Sequence, residues 1–107
     1  MKQPTNIVVF VTTSGPDEST SISQALLERR QAACVNSVSG VSSRFWWRDK
    51  LESAEEDLLI VKSKDSLLPN IIETVKQLSR NEVPEVIAMP VIGGNQDYLD
   101  WLNHETA

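Results

Sequence analysis

The chain has 107 residues, of which 40% are hydrophobic and 23% are charged. This length suits a single domain over residues 1–107 and excludes two, and it allows a core that needs no metal or disulfide. Fifteen acidic against ten basic residues give a net charge of −5, whereas nucleic-acid binding depends on Lys and Arg to neutralise phosphates. The composition therefore argues against a nucleic-acid partner.

The first predicted element is a strand, because the run Ile7–Thr13 is apolar and β-branched on both faces. Its apolar part is too short for a signal-peptide core or a membrane span, so we expect no membrane partner. The only cysteine, Cys34, cannot form an internal disulfide, which suits a reducing compartment. We expect a cytoplasmic location.

A helix is predicted next, over Asp17–Gln31. Pro16 suits the first helical position, and the acidic Asp17 and Glu18 lie at the positive end of the helix dipole. The apolar stripe that would face the core contains Ile22, Ala25 and Leu26.

A long hairpin is predicted in the middle of the chain. From Ala32 to Trp47 the hydrophobic period approaches two, which indicates one strand, and Gly40 in its middle predicts a bulge or bend. The turn at 48–50 and the acidic segment 52–57 then lead into a third strand over Leu58–Ser63.

A second amphipathic helix is predicted from about Lys64 to Ser79, followed by a break at Pro84 and a fourth strand over Val86–Val91. A short terminal helix carries Tyr98, Trp101 and Leu102 on one face. Strand, helix, strand, strand, helix, strand is the order of an α+β ferredoxin-like sandwich, here with a helical tail.

The adjacent tryptophans Trp46 and Trp47 point to another chain. In that topology the helices cover one face of the sheet, and the other face is too apolar to be left exposed. Neighbouring residues on a strand point to opposite faces, so the two indoles at the end of the hairpin cannot share one core. We expect at least one to contact another chain; the alternative is an ordinary exposed aromatic residue.

Few residues suggest catalysis. His104 lies near the end of the chain, where a solvated side chain is the ordinary role. Cys34 lies between Ala33 and Val35, which predicts a buried small hydrophobic residue rather than a reactive thiol. The acids Glu52, Glu55, Glu56 and Asp57 lack the spacing and glycine of a calcium loop, and a solvated approach to a strand is the better interpretation.

Lys62 and Glu85 are more informative, because each interrupts or adjoins an apolar strand. A charge in such a place is costly unless it is paired. The two side chains either form an ion pair, which we favour slightly, or face a ligand cleft.

Two enzyme or binding classes of this topology are disfavoured. An acylphosphatase needs an arginine in the loop after the first strand to hold phosphate, and the loop here has Ser14-Gly15-Pro16-Asp17. An RNA-recognition domain needs stacking aromatic residues on its central strands and a basic face, which this sequence lacks.

Several segments, in order along nearly the whole chain, resemble the CutA divalent-cation-tolerance family. They are Ala32-Ala33-Cys34-Val35-Asn36, Gly40-Val41-Ser42-Ser43, Trp46-Trp47 ahead of Lys50-Leu51-Glu52, Val83-Pro84-Glu85-Val86 and Tyr98-Leu99-Asp100-Trp101-Leu102. The resemblance implies a ferredoxin-like homotrimer assembled through its long strands. It further implies a non-enzymatic role in tolerance of divalent metals, copper especially, and it identifies no protein partner.

The resemblance also implies a metal site that this chain keeps only in part. The family's copper ligands are a Cys in the first strand, a His ahead of the Pro-Glu pair and the Glu of that pair. Only the last carries over, as Glu85; Val11 stands in place of the Cys, and Ser79-Arg80-Asn81 in place of a His-x-Tyr segment. Copper prefers thiolate and imidazole ligands, so we expect no firm cofactor and only weak binding of Cu²⁺ or another divalent cation.

The expected site is a cleft between subunits, with Glu85 as the metal ligand and Lys62 beside it. An alternative function is that of a trimeric signalling or interaction module resembling the PII proteins, whose clefts bind a nucleotide or metabolite. No Gly-rich phosphate loop supports nucleotide binding in this sequence.

Overall fold

The strands and helices follow one another in the predicted order in the computed structural model, which describes residues 5–107. They are β1 (Asn6–Thr13), α1 (Pro16–Glu28), β2 (Cys34–Trp47), β3 (Lys50–Lys64), α2 (Leu68–Leu78), β4 (Val86–Pro90) and α3 (Gln96–Glu105), with a 3-10 turn at Asp65–Leu67 before α2. The strands form one antiparallel sheet in the order β2-β3-β1-β4. The predicted α+β ferredoxin-like fold is confirmed.

Alternating side chains of β1 determine which face of the sheet carries the core. Ile7, Val9 and Val11 are buried, and register places Val61 and Leu59 of β3 on the same face. The helices cover this face with a second set of fully buried residues, Ile22 and Leu26 from α1 and Ile71 and Val75 from α2. Within residues 5–107 no helix has both the length and the apolar character to cross a membrane.

Helix α1 ends at Glu28, three residues before the predicted end at Gln31. Arg30 takes a left-handed conformation, with φ of 57°. The amide of Gln31 donates to the Leu26 carbonyl at 2.9 Å, and the amide of Arg30 donates to the Leu27 carbonyl at 3.1 Å. These are the two bonds of a Schellman cap, which stops the helix although its side-chain pattern continues.

The hairpin of β2 and β3 is longer than the sequence predicts. Cross-strand pairs run from Cys34↔Lys62 to Trp47↔Lys50, so the acidic segment 52–57 is part of β3 and not a loop-like approach to it. The predicted irregularity at Gly40 is confirmed: two residues, Ser39 and Gly40, stand opposite Asp57. Gly40 has φ of 73°, a left-handed value that glycine adopts without steric cost.

Candidate ligand cleft

A cleft of about 990 Å³ lies between the outer half of the hairpin and the segment that precedes β4. The hairpin forms one wall, with residues 42–47 and 54–56, and residues 80–83 with Glu85 form the other. Thr12 and Ser14, at the end of β1, complete the lining. The bulge at Gly40 belongs to the same strand as the first wall, and bulges increase the local twist of a strand.

Glu85 is placed in this cleft by the register of β4. Val86 pairs with Val11, so Glu85 lies just beyond the paired part of the sheet, at the end of β1. Its pKa is raised above the ordinary value of 4.5, first by burial and then by the negative charge of Glu56. Both carboxylates line the cleft, and the cleft is therefore a place where a cation would be favoured.

A buried acid, Glu18, fixes the opposite wall. It is almost fully buried, and its carboxylate accepts from the Ser14 hydroxyl at 2.7 Å and from the Arg80 amide at 3.3 Å. The Ser79 hydroxyl donates to the other oxygen at 3.4 Å. The sequence assigned Glu18 only to the helix dipole, because its bonds to residues more than 60 positions away leave no local pattern.

The tip of the hairpin closes one end of the cleft. Arg48 forms an ion pair with Glu82 at 2.8 Å and lies over the ring of Trp47, with 5.3 Å to the ring centroid. Trp46 and Leu51 form a cross-strand pair and are 73% and 66% exposed. Trp47 is half-buried, and both tryptophans line the cleft.

The structure does not bring Lys62 and Glu85 together, so the ion pair that the sequence favoured is wrong. Lys62 pairs with Val8 in register, whereas Glu85 lies beside Thr12 at the other end of β1. The two positions are four residues, or roughly 13 Å, apart along β1, and they also lie on opposite sides of that strand. The Lys62 ammonium instead donates to the Asn36 side chain, and Lys62 does not line the cleft.

Cys34 is half-buried, not fully buried as the sequence predicted. It lies on the face of the sheet away from the helices, because its strand partner is Lys62. Burial, and next the neighbouring Cys34, raise the pKa of Tyr98 on α3. The thiol thus packs under the terminal helix, which covers only part of that face.

The donor set for copper is absent where the family resemblance would place it. Val11 is fully buried among core residues under the helices, Ser79 bonds to Glu18, and His104 is exposed on α3. In the part of the chain that the structure describes, no three His, Cys, Asp or Glu side chains are grouped as a metal site would require. Carboxylates remain as the ligands that one chain offers in the cleft.

The face of the sheet away from the helices is apolar and partly uncovered. Val38 of β2 and Met89 of β4 keep about two fifths of their surface exposed, and Ile87 keeps 54%. Register places these residues on the face opposite Val9 and Val11. We call this surface the open face.

Known proteins resemble this chain in sequence and in structure. A sequence model described as CutA1 divalent ion tolerance protein matches residues 7–105. The chloroplastic Protein CutA 1 of Oryza sativa subsp. japonica is 42% identical, over 94% of this chain and 57% of its own length. The divalent-cation tolerance protein CutA of Thermus thermophilus is 40% identical, over 92% of this chain and 96% of its own length.

Solved structures agree with the sequence matches. The crystal structure of CutA1 from Oryza sativa has a TM-score of 0.93 and 41% identity, and the alignment covers 96% of this chain and 94% of the other. The chain spans a little over half the length of the plant relatives that it matches. The resemblance seen in its motifs is confirmed, and the chain belongs to the CutA1 family of divalent ion tolerance proteins.

Proposed function

We propose that this protein is the subunit of a non-enzymatic homotrimer that takes part in tolerance of divalent metal ions, and that it binds a divalent cation weakly at its subunit clefts. The observation that carries the proposal is the position of Glu85 beside Glu56 in the cleft of a CutA1-family chain. Two neighbouring carboxylates attract a hard divalent cation and repel each other without one.

The open face supports the trimeric part of the proposal. Its exposed Ile87 and the exposed pair of Trp46 and Leu51 at the hairpin tip are apolar surface that a second and third copy would remove from water. Lys62 also lies on the open face. In this proposal, the Lys62 ammonium group of a neighbouring subunit lies beside the cleft of the first.

Weak copper binding follows from ligand chemistry. Carboxylate oxygen is a poor and unselective ligand for copper compared with thiolate sulfur and imidazole nitrogen. Val11 and Ser79 supply neither of those ligands. Glu85 therefore acts in this proposal as a general divalent-cation ligand rather than as part of a selective copper site.

Calorimetric titration of the purified protein with Cu²⁺ tests the proposal. We expect no stoichiometric submicromolar site, and we expect the weak heat of binding to disappear in Glu85→Gln. Glu73→Gln is the matched control, because Glu73 is an exposed carboxylate on α2, and it should leave the titration unchanged. A tight site in the wild type, or equal weak binding in both variants, would contradict the proposal.

The cleft also favours a second candidate, a PII-like signalling or interaction module. Arg44 and Arg80 line the same cleft as the carboxylates, and guanidinium groups bind anionic ligands well. A thermal-shift screen of nucleotides and small metabolites separates the two functions. A ligand at a hundred times its dissociation constant adds about 2.7 kcal/mol to the free energy of unfolding, so a strong shift with a metabolite and none with metal favours the module.

A cytoplasmic location is part of the main proposal. It is supported by the single cysteine, which is free. Relatives carry other locations in their names, chloroplastic for the rice protein and periplasmic for the protein from Archaeoglobus fulgidus. Fractionation of the source cells, with detection of this chain, is the direct measurement.

A further inference from the structure

A second groove, of about 620 Å³, lies between α1 and β2. It shares no lining residue with the ligand cleft, and it is on the helix-covered side of the sheet, away from the open face. Assembly through the open face would therefore leave it accessible. We call it the α1–β2 groove.

Asp57 lies in this groove and is the most unusual of its residues. Its side chain belongs to the helix-covered face of β3 and the residue is only 6% exposed. One carboxylate oxygen accepts from the Ser19 hydroxyl at 3.1 Å, and Ser19 is in turn 2.6 Å from the Thr13 hydroxyl. Across residues 5–107, no Lys, Arg or His forms an ion pair with Asp57.

The other side chains that line the groove suit a cationic ligand with an apolar stem. Five of the eleven lining residues carry a hydroxyl group, and a second carboxylate, Glu28, lines the groove together with Asp57. Leu27 and Val35 add apolar surface, and no basic residue is among the side chains that line it in the described part of the chain. A buried carboxylate is costly without a charged partner, so an ammonium group would be favoured there over a neutral or anionic one.

The two carboxylates lie far apart along the groove. Asp57 bonds to Ser19, and Glu28 is nine residues further along α1, about 14 Å along the helix axis and half a turn around it. Glu28 is therefore at the exposed edge of the groove, where its carboxylate also accepts from the Gln24 side chain at 2.9 Å. A single metal ion cannot bridge such a distance, whereas a linear molecule with an ammonium group at each end can. Helix α1 supplies Ser23 to the groove and strand β2 supplies Ser37. Both hydroxyl groups can accept hydrogen bonds from the amines.

We propose that the α1–β2 groove binds a linear polyamine of about the length of spermidine. One terminal ammonium pairs with Asp57, the other pairs with Glu28, and the methylene chain lies against Leu27 and Val35. The binding is reversible and includes no covalent step.

Calorimetric titration of the full chain with spermidine at low ionic strength tests this proposal. We expect saturable binding that Mg²⁺ at the same concentration does not displace. Unspecific attraction between spermidine and an acidic surface would be screened by Mg²⁺, so resistance to Mg²⁺ indicates a specific site. Propylamine, with a single ammonium group, should bind at least tenfold more weakly. No binding of spermidine, or its full displacement by Mg²⁺, would overturn the proposal.

Two variants place the site in the groove. Asp57→Asn keeps a side chain that can bond to Ser19 and should weaken spermidine at least tenfold. Ser23→Leu fills the groove without touching the buried hydroxyl network and should have the same effect, which decides the matter if Asp57→Asn does not fold. Asp100→Asn removes the same charge from an exposed position on α3 and should bind like the wild type; affinities within threefold for all three variants would overturn the proposal.

Discussion

The two faces of the sheet differ in how completely one chain buries them. On the helix-covered face, Val9, Leu59 and Val61 are fully buried under α1 and α2. On the open face, α3 covers only one end, over Cys34 and Lys64, and Ile87 remains more than half exposed. Since both faces are apolar, the difference indicates that the first face stabilises the fold of one chain and the second is available for assembly.

The hairpin continues this difference beyond the helices. At its base, Asp57 and Leu59 lie under α1, but its outer half extends past the helices, and the longest dimension of the chain is 46 Å. Trp46 and Leu51, at the outer end, contribute little to the core of their own chain. Large apolar side chains that adjoin one another at an exposed position often mark an interaction surface.

The largest effect on stability is expected on the helix-covered face. Leu59→Ala should lower the free energy of unfolding by about 2–5 kcal/mol, because it removes a fully buried side chain and leaves a cavity. Leu27→Ala is the matched control at an exposed site on α1, and it should cost less than about 1 kcal/mol. Urea denaturation at one fixed protein concentration measures both, and equal losses would remove the distinction between the faces.

The open face should respond to substitution in assembly rather than in folding. Ile87→Asp places a charge in the middle of the proposed interface, where burial without a partner is costly. Light scattering should change from about 36 kDa, for three chains of 11.9 kDa, to the mass of one chain. The far-ultraviolet circular dichroism should stay that of the wild type.

A control for the assembly test adds the same charge elsewhere. Asn70→Asp lies at an exposed position on α2 and should leave the mass unchanged. If Ile87→Asp also keeps the full mass, the open face is not the surface through which the chains associate.

The sequence predicted the elements of the covered face well, because local patterns determine them. The apolar stripes of both helices and the bulge at Gly40 depend on residue spacing and on backbone preferences that a short segment shows. The acidic segment 52–57 was harder, because glutamate has a low strand propensity. Pairing along the whole of β2 overrides that propensity, as tertiary context commonly does in sheets.

The ligand cleft was predicted only in part. Glu85 was identified from its place in a family motif and from its position beside an apolar strand. Glu18 and Arg48 contribute to the cleft through contacts with residues that are distant along the chain, and these contacts become visible only once the fold brings them together. The error over Lys62 has the same origin, because two charges beside apolar strands do not reveal the register that separates them.

The smallest expected effect is the pH dependence that Glu85 confers. Its pKa is raised above 4.5 in the folded protein by burial and by Glu56, so the folded state binds its proton more tightly than the unfolded state does. The stability that protonation contributes is therefore complete below pH 4.5 and is lost as the pH rises through the raised pKa.

Glu85→Gln removes this loss, and the variant should be slightly more stable than the wild type at pH 7 but equally stable below pH 4.5. Urea denaturation across this range measures the difference, with Glu73→Gln as the exposed control that should parallel the wild type. If Glu85→Gln is instead less stable than the wild type at pH 7, and this deficit disappears as the pH falls, Glu85 is stabilised as the charged form by a cationic group, and it would then be a poor ligand for a divalent cation.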